Sequence, residues 1–246
     1  MPRGPRIDYP GLLHHVMVRG IERKKIFNED EDYQDFLERI SKALNGSGAV
    51  IYAWVLMLNH IYLLIKIGKQ ALSKVMRRIL TGYALGYNRR HKRVGYLYQG
   101  RYKSIVCEEE AYLLELVRYI HLNPLRVGVV KTLEELDKYQ WSGHSVIMGR
   151  QKTDWQDTEE ILSRFGKTKS EARRKYREFV REGIKQGKRE DLTGGGLITS
   201  LDGIGRALLA KLGKEKQMYD QSILGSGNFV EGLLKKQKIK KKKYRG

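Results

Sequence analysis

The sequence predicts an α+β fold in which an antiparallel sheet carries helices on one face and a helical, basic extension follows. Apolar runs of strand length alternate with segments of helical spacing in the order β-α-β-β-α-β-α. The chain has 246 residues, 41% of them hydrophobic, which is enough for one sizeable domain and an appendage. After about Gly149 the apolar runs give way to polar segments, and this change predicts where the sheet domain ends.

The elements of the sheet domain follow from residue spacing and from signals at their ends. In chain order they are strand 12–19, helix 29–44, strands 49–57 and 60–67, helix 72–88, strand 102–107 and helix 109–123. Gly20 ends the first strand, and Gly46 and Gly48 break the first helix. Pro124 is expected to end the last helix. This order suggests a ferredoxin-like sandwich over residues 1–149.

The rest of the chain is predicted to form a mainly helical extension over residues 150–234 and a disordered basic tail over residues 235–246. Residues 157–187 have the spacing of polar helices that supply little core, and Gly194 to Gly196 predict a loop. Eight of the last twelve residues are basic, so the tail is expected to make nonspecific phosphate contacts.

The stretch from Ala53 to Ile65 organises the sheet domain. It consists of two apolar runs, and His60 opens the second. Alternation places His60, Tyr62 and Leu64 on one face of that strand. Because a polar pair in a core strand needs partners or a task, two interpretations are open here: a strand end with a hydrogen-bonded histidine, or a functional site.

The charge distribution indicates a polyanionic partner. The net charge is +20 and the pI is about 9.9. Between Glu38 and Glu108 the chain has no Asp or Glu but thirteen Lys and Arg. Phosphates repel carboxylates, so this acid-free span favours nucleic acid. A membrane surface is disfavoured because no strongly amphipathic basic helix stands out.

Residues 87–103 are the strongest candidate for the nucleic-acid contact, since four tyrosines stand there among six cations without one acid. Cations follow a phosphate backbone and aromatic faces stack on unpaired bases, a combination typical of single-strand binding. The residues predicted to bind are Arg77, Arg78, Arg89, Arg90, Arg93, Tyr98, Arg101 and Lys103.

Several other classes of protein are excluded. The single cysteine, Cys107, rules out a disulfide framework and a cysteine-based zinc site, and it fits a reducing cytosol. Gly166-Lys167-Thr168 is not a phosphate-binding loop, because that pattern needs glycine where Ile161 stands. No apolar run approaches membrane-spanning length, so a cytoplasmic protein is expected.

The helix at residues 109–123 carries the second informative pattern, in which Tyr112, Leu116, Tyr119 and Asn123 fall on one stripe. A tyrosine on such a half-buried stripe is usually part of the core. A tyrosine with an amide one turn further on can also place a phenolic nucleophile and an oxygen ligand beside one metal ion.

Several short motifs, taken in their order along the chain, resemble those of one family. They are residues 57–64 (MLNHIYLL), 119–126 (YIHLNPLR) and 139–142 (YQWS), together with Pro10-Gly11, Arg19-Gly20 and residues 88–91 (NRRH). In this order they resemble the bacterial single-strand transposases of the insertion-sequence-200-like (HUH) superfamily, and among these the REP-associated tyrosine transposases most closely. The resemblance covers over half of the chain.

The resemblance implies a reaction and residues for it. In the family, a His-hydrophobic-His pair holds Mg²⁺ or Mn²⁺, and a helix tyrosine attacks single-stranded DNA to leave a 5′-phosphotyrosine and a free 3′-OH. By position, His60 corresponds to the first metal histidine, Tyr119 to the nucleophile and Asn123 to a metal ligand one turn later.

The chain departs from the family where the second metal histidine should stand. The residue there is Tyr62, and a neutral phenol with a pKa near 10 is a poor ligand for a hard cation. Leu58 also replaces a usual proline. The glycine-containing segments at 192–197 and 223–227 resemble relatives that continue into a helix-turn-helix, so the lysine-rich end is expected to be a truncation.

The sequence therefore predicts a transposase-like, nucleoid-associated bacterial protein, monomeric or homodimeric, that binds single-stranded or hairpin DNA and, if active, cleaves and rejoins strands through Tyr119 with Mg²⁺ or Mn²⁺. Two alternatives are open. The chain is a DNA-binding remnant or domesticated copy without catalysis, or it binds RNA, because a basic, tyrosine-rich surface does not distinguish the two polymers.

Overall fold

The short apolar runs form one sheet, and the segments between them form helices. The structure is a computed structural model and describes residues 7–187, Arg189, Leu192, 198–199 and 222–243. The elements are β1 (Leu13–Arg19), α1 (Asp30–Leu44), β2 (Val50–Met57), β3 (His60–Lys66), α2 (Leu72–Arg90), β4 (Lys103–Cys107), α3 (Glu109–Arg126), α4 (Leu133–Lys138), α5 (Gly143–Ile147), α6 (Glu159–Ser163), α7 (Lys169–Gly183), β5 (Ile198–Thr199), β6 (Ser222–Leu224) and α8 (Gly227–Lys243), with short 3-10 helices at Ile21–Arg23 and Ile184–Gln186.

The sheet has the ferredoxin-like arrangement that the element order predicted. Its strand order is β2-β3-β1-β4-β6-β5, and β1 to β4 pair with their neighbours in antiparallel fashion. The last two strands add a parallel edge, because β6 pairs with β4 and β5 pairs with β6 in parallel. The α+β class is confirmed, and the sheet as a whole is mixed.

Helices cover both faces of the sheet. On one face, α1 and α2 pack on Ile61, Leu63 and Ile65, as predicted. On the other face, α3 packs on Ala53 and Leu64, so the expectation that helices lie on one face is wrong for α3. The physical reason is that the middle of β2 and β3 is apolar at consecutive positions, and such strands need cover on both sides.

The extension contributes more to the core than its polar composition predicted. Ala172, Tyr176 and Val180 recur at every fourth position of α7, and all three are buried in the core that α3 shares. Ile161 and Leu162 of α6 join them. The prediction that residues 157–187 supply little core is therefore wrong.

One predicted helix end and the predicted disorder of the tail differ from the structure. Helix α3 continues through Pro124 to Arg126. Helix α8 runs to Lys243, so its backbone is helical within the tail that was predicted to be disordered. The predicted glycine loop at 194–196 and the last residues of the tail, 244–246, lie outside the described residues.

Later parts of the chain cover the outer side of β2. The Leu56 amide donates a hydrogen bond to the Trp141 carbonyl (2.9 Å), and the Asp157 amide donates to the Ile51 carbonyl (2.9 Å). Val55 also forms a bridge with Ser142. The free side of β4 is paired with β6, so both sides of the four-stranded unit are occupied. Within the described residues, no helix is long and apolar enough to cross a membrane.

Candidate active site and nucleic-acid interface

The functional candidates gather where β1 ends and β3 begins, which we call the His60 end of the sheet. Arg19 and His60 face each other there as paired residues of neighbouring strands. Helix α3 follows β4 and runs back across the sheet, which brings Tyr119 and Arg126 towards this end. The alternation predicted for β3 is confirmed, since Leu64 packs towards α3 whereas Ile61, Leu63 and Ile65 pack towards α1 and α2.

Four rings form the centre of the site. The Tyr62 ring lies between His60 and His15, with centroid distances of 6.1 and 6.0 Å and near-parallel planes. The Tyr119 ring stands edge-on to His15 at 5.8 Å and to Tyr62 at 6.5 Å. Tyr119 thus reaches the predicted site, and its ring contacts are with His15 and Tyr62.

His60 sits on a turn that its neighbours hold in place. Its Nδ1 lies 2.6 Å from Asn59 Oδ1, so Nδ1 carries the proton and Nε2 keeps its lone pair. The Asn59 side-chain nitrogen, Nδ2, donates to the Arg23 carbonyl (2.9 Å). Burial, together with the charges of Arg19 and Arg23, lowers the pKa of His60, and the ring is therefore neutral at pH 7.

The side chains at the His60 end do not fit Mg²⁺ or Mn²⁺. Beside His60 stands Tyr62, whose pKa burial raises, so the phenol stays protonated. Arg19 and Arg23 add positive charge, which opposes a second cation. Among the described residues, no three His, Cys, Asp or Glu side chains are placed to share a metal ion. The divalent cation implied by the family resemblance remains a prediction that these donors do not support.

Asn123 has a structural partner that the sequence interpretation did not consider. Pro124 has no N–H, so the Ile120 carbonyl loses its donor four residues on in the helix. The Asn123 side-chain nitrogen lies 3.4 Å from that carbonyl and donates to it. The Asn-Pro pair therefore lets α3 pass through a proline with its backbone acceptor still hydrogen-bonded.

Arg126 is the last residue of the motif at 119–126 and was not predicted as a site residue. Its Nη1 donates to the Tyr119 carbonyl (3.0 Å), and its guanidinium lies 5.0 Å from the centre of the Tyr119 ring. Within the described part of the chain, its Nε is buried without a hydrogen-bond partner. Burial lowers the pKa of Arg126, but an arginine stays charged at neutral pH. A fixed positive charge therefore stands beside the candidate nucleophile.

His15 is the second residue that sequence reasoning missed. It is fully buried, and its Nδ1 donates to the Leu192 carbonyl (3.1 Å). Its Nε2 has no hydrogen-bond partner among the residues that the structure describes. Burial is the main cause that lowers its pKa to about 4. The sequence did place His15 on the same face of its strand as Arg19. Only the structure shows that the His15 ring contacts the ring of Tyr119.

The stability of the fold is expected to fall between pH 6.5 and 4, partly because of His15. The unfolded histidine binds a proton near pH 6.5 and the folded one only near pH 4, so acid favours the unfolded chain throughout that window. This difference amounts to about 2 kcal/mol at pH 5. Urea unfolding of the native chain at pH 7 and pH 5 measures the loss.

His15→Asn is the matched variant, since its amide keeps a donor for the Leu192 carbonyl but does not titrate. His121 and His144 are also buried, and burial lowers their pKa values. They therefore add the same pH-dependent loss of stability to the native chain and to the variant. The loss of stability from pH 7 to pH 5 should be about 2 kcal/mol smaller in the variant. Equal losses in the two proteins would contradict the assignment.

A buried polar network fixes α3 to the extension just beyond Tyr119. The Tyr176 hydroxyl lies 2.7 Å from His121 Nδ1 and 3.1 Å from His144 Nδ1. His144 Nε2 lies 2.8 Å from Asp137 Oδ1, and Arg177 Nε donates to the other oxygen of that carboxylate (2.7 Å). These contacts hold the helix of the candidate nucleophile against α5 and α7.

The residues predicted to bind nucleic acid divide into two groups. Five are exposed at the surface: Arg77, Arg78, Arg89, Arg101 and Lys103. The other three are Arg90, Arg93 and Tyr98, and their side chains are partly buried and engaged within the protein. The sequence could not distinguish the groups, because both lie in one acid-free span.

The engaged side chains have identifiable partners. Arg90 forms ion pairs with Asp32 (2.9 Å) and Asp35 (3.0 Å). Tyr98 packs against the α1–α2 core and its hydroxyl is buried. Neither side chain is available for stacking or for phosphate binding in this conformation. Their role in nucleic-acid binding remains a prediction, and the exposed group is the better candidate.

Comparisons with known proteins agree with this arrangement. Residues 9–123 match the family described as "Transposase IS200 like". A REP-associated tyrosine transposase bound to a REP hairpin has a similar structure, with 19% identity, a TM-score of 0.50, and coverage of 64% of this chain and 94% of that chain.

A candidate transposase from Deinococcus radiodurans R1 is more distant, with 14% identity and a TM-score of 0.34 over 49% of this chain and 95% of that chain. No curated protein sequence matches the chain. The family match begins just before β1 and ends inside α3, so it contains His15, His60, Tyr62, Tyr119 and Asn123. Residues 9–123 therefore resemble the IS200-like transposase family.

Proposed function

We propose that this protein binds DNA hairpins with an adjoining single strand, and that Tyr119 is its candidate nucleophile. The observation that carries the proposal is the surface formed by the acid-free span. Exposed cations stand at the end of α2 and at the start of β4, and Lys103 of β4 pairs with Met17, two residues before Arg19. Acids there can be held by neighbouring residues. Glu22, for example, binds Lys24 (2.6 Å). A similar fold is bound to a hairpin in a REP-associated tyrosine transposase.

The electrostatics at Tyr119 suit a phosphate. Arg126 lies over its ring, and Arg19 and Arg23 act on the neighbouring His60. A phosphodiester brought to the phenol would enter a site with fixed positive charge, which stabilises the extra negative charge of the transition state. In such a step the phenolic oxygen bonds to phosphorus, the 3′-oxygen leaves with the electron pair, and the phenolic proton passes to water.

Binding of a hairpin is expected to weaken steeply with salt and to depend on the exposed arginines. Each lost phosphate contact reduces the slope of log K against log salt by about 0.7–0.9. Arg89→Ala with Arg101→Ala should therefore lower the slope by about 1.4–1.8 relative to the native chain. Fluorescence anisotropy of a labelled hairpin across a salt series measures both slopes.

Arg174→Ala is the matched control, because Arg174 is an exposed arginine on α7, in the extension. It should leave the slope unchanged within error. A slope that does not depend on Arg89 and Arg101, or that changes equally with Arg174, would show that the proposed surface is not the binding surface. A native chain with no salt dependence would overturn the electrostatic basis of the proposal.

RNA binding is the second candidate function, favoured by the same cations. Competition of unlabelled DNA and RNA hairpins of equal sequence against the labelled DNA hairpin distinguishes the two. Tighter competition by RNA would replace the DNA proposal, because only contacts to the 2′-hydroxyl distinguish the polymers at a matched site.

A further inference from the structure

The segment from His91 to Leu97, which we call the Tyr96 loop, presents an apolar tip to solvent. The Val94 side chain is 94% exposed and Tyr96 is 84% exposed, whereas the next residue, Leu97, is buried. A large aromatic side chain held almost wholly in water gains nothing from folding. Val94 and Tyr96 together form an exposed apolar tip on a basic surface, and this combination points to a partner.

The loop is braced so that its tip has a defined shape. Asn88 Nδ2 donates to the Gly95 carbonyl (2.9 Å). Arg93 donates from Nη1 to Asn88 Oδ1 (3.1 Å) and from Nη2 to the Tyr96 carbonyl (3.1 Å). Gly95 has a φ of +94°, which a side chain would oppose. The half-buried Arg93 therefore positions Tyr96, and ordering the loop costs a ligand little extra entropy.

The surroundings of the tip carry positive charge. Arg89 precedes the loop on the last turn of α2, and Lys92 lies within it; both are exposed. A phosphate backbone is the polymer that such cations attract, while the aromatic face suits a base that has left its stack. Nucleic acid is the occupant that uses both features at once, since its phosphates bind the cations and an unpaired base stacks on the ring.

The loop connects directly to the His60 end of the sheet. The Ile21 amide donates to the Leu97 carbonyl (3.0 Å), and the Gln99 amide donates to the Arg19 carbonyl (2.9 Å). The Arg19 Nε also donates to Gln99 Oε1 (2.6 Å), and Arg19 is the strand partner of His60. A strand that reaches Tyr119 would therefore pass beside the base of the Tyr96 loop.

We propose that Tyr96 stacks on one unpaired base of the bound DNA, at the junction between the hairpin stem and its single-stranded extension, with Val94 covering the edge of that base. This inference rests on the proposed function, and it names the feature of the DNA that the loop recognises. Tyr98, which the sequence favoured for stacking, has its hydroxyl buried in the core, and Tyr96 takes that role.

Binding of two hairpins, one with a single-stranded extension and one blunt, tests the proposal. Loss of one stacked base corresponds to about 1–3 kcal/mol, or roughly 5- to 150-fold in affinity. Tyr96→Ala should weaken binding of the extended hairpin by such a factor and leave the blunt hairpin within about twofold, whereas Tyr96→Phe should bind both like the native chain. 2-Aminopurine at the junction should be quenched by the native chain and not by Tyr96→Ala.

The outcomes separate this inference from the proposed function. If the native chain binds both hairpins and Tyr96→Ala binds them equally well, the stacking proposal is wrong and the DNA-binding proposal stands. If the native chain binds neither hairpin, the proposed function fails, and this inference fails with it. Equal losses on both hairpins would assign Tyr96 to the duplex stem instead. Since the side chain is exposed, circular dichroism should show no change in folding for either variant.

Discussion

Ending the chain after Gly149 is expected to abolish cooperative folding of the sheet domain. This truncation removes Ile161, Leu162, Tyr176 and Val180, which are all buried in the core against α3. Burial of one large apolar side chain contributes about 1.5–3 kcal/mol, so the four together contribute about 6–12 kcal/mol. A domain has a total stability of only about 5–15 kcal/mol. Urea unfolding followed by circular dichroism measures the result.

A chain that ends after Leu234 is the matched control. This shorter truncation keeps Leu233, which is buried, and the first two residues that it removes, Lys235 and Lys236, are exposed. It should unfold with the native midpoint and slope. If the chain ended at Gly149 unfolds with that same midpoint and slope, residues 1–149 form an independent domain and the core shared with α7 is dispensable.

Tyr62→His is expected to create Mn²⁺ binding where the native side chains offer little. The variant places a second neutral imidazole two residues from His60 on the same face of β3, where the Tyr62 ring already lies 6.1 Å from that of His60. Imidazole nitrogen suits Mn²⁺ better than a protonated phenol. Calorimetric titration with Mn²⁺, in the presence of the hairpin to offset Arg19 and Arg23, should show saturable binding by the variant only.

Formation of a covalent protein–DNA adduct is the second measurement on this variant. On a denaturing gel, Tyr62→His should form more adduct with Mn²⁺ than the native chain, and adding Tyr119→Phe should remove it. Tyr112→Phe is the control, because Tyr112 lies on the same helix stripe and is no family nucleophile. If the adduct survives Tyr119→Phe and disappears with Tyr112→Phe, the nucleophile is Tyr112, and the assignment of Tyr119 is wrong. Absence of any adduct, with Mn²⁺ bound, would favour the DNA-binding remnant.

Most of the sheet domain was predictable, because its signals are local. Alternation in β3 assigned Leu64 to the face opposite Ile61, and helical spacing predicted a helix at residues 72–88, where α2 lies. The prediction was weaker wherever a polar segment carried few but well-placed apolar residues. In α7, three residues at every fourth position are enough to cover α3, although the segment as a whole is polar.

The site could be predicted by residue type but not by partner. Tyr62 and Tyr119 were expected together, and their rings are in contact. His15 and Arg126 were not expected, because their importance depends on contacts across the sheet and along α3 that a linear pattern does not contain. The same limit explains the choice of Tyr98 over Tyr96, since spacing does not reveal which of two nearby tyrosines points into the core.

The covered sides of the sheet have a consequence for the protein while it is being made. Until residues 139–157 have been synthesised, β2 presents unpaired amides and carbonyls, and β4 does so until β6 arrives. Open strand edges invite pairing with the edges of other chains, and aggregation follows. The nascent chain is therefore most vulnerable while only the sheet domain has left the ribosome. In the folded protein both of these sides are covered, β2 by residues 139–157 and β4 by β6.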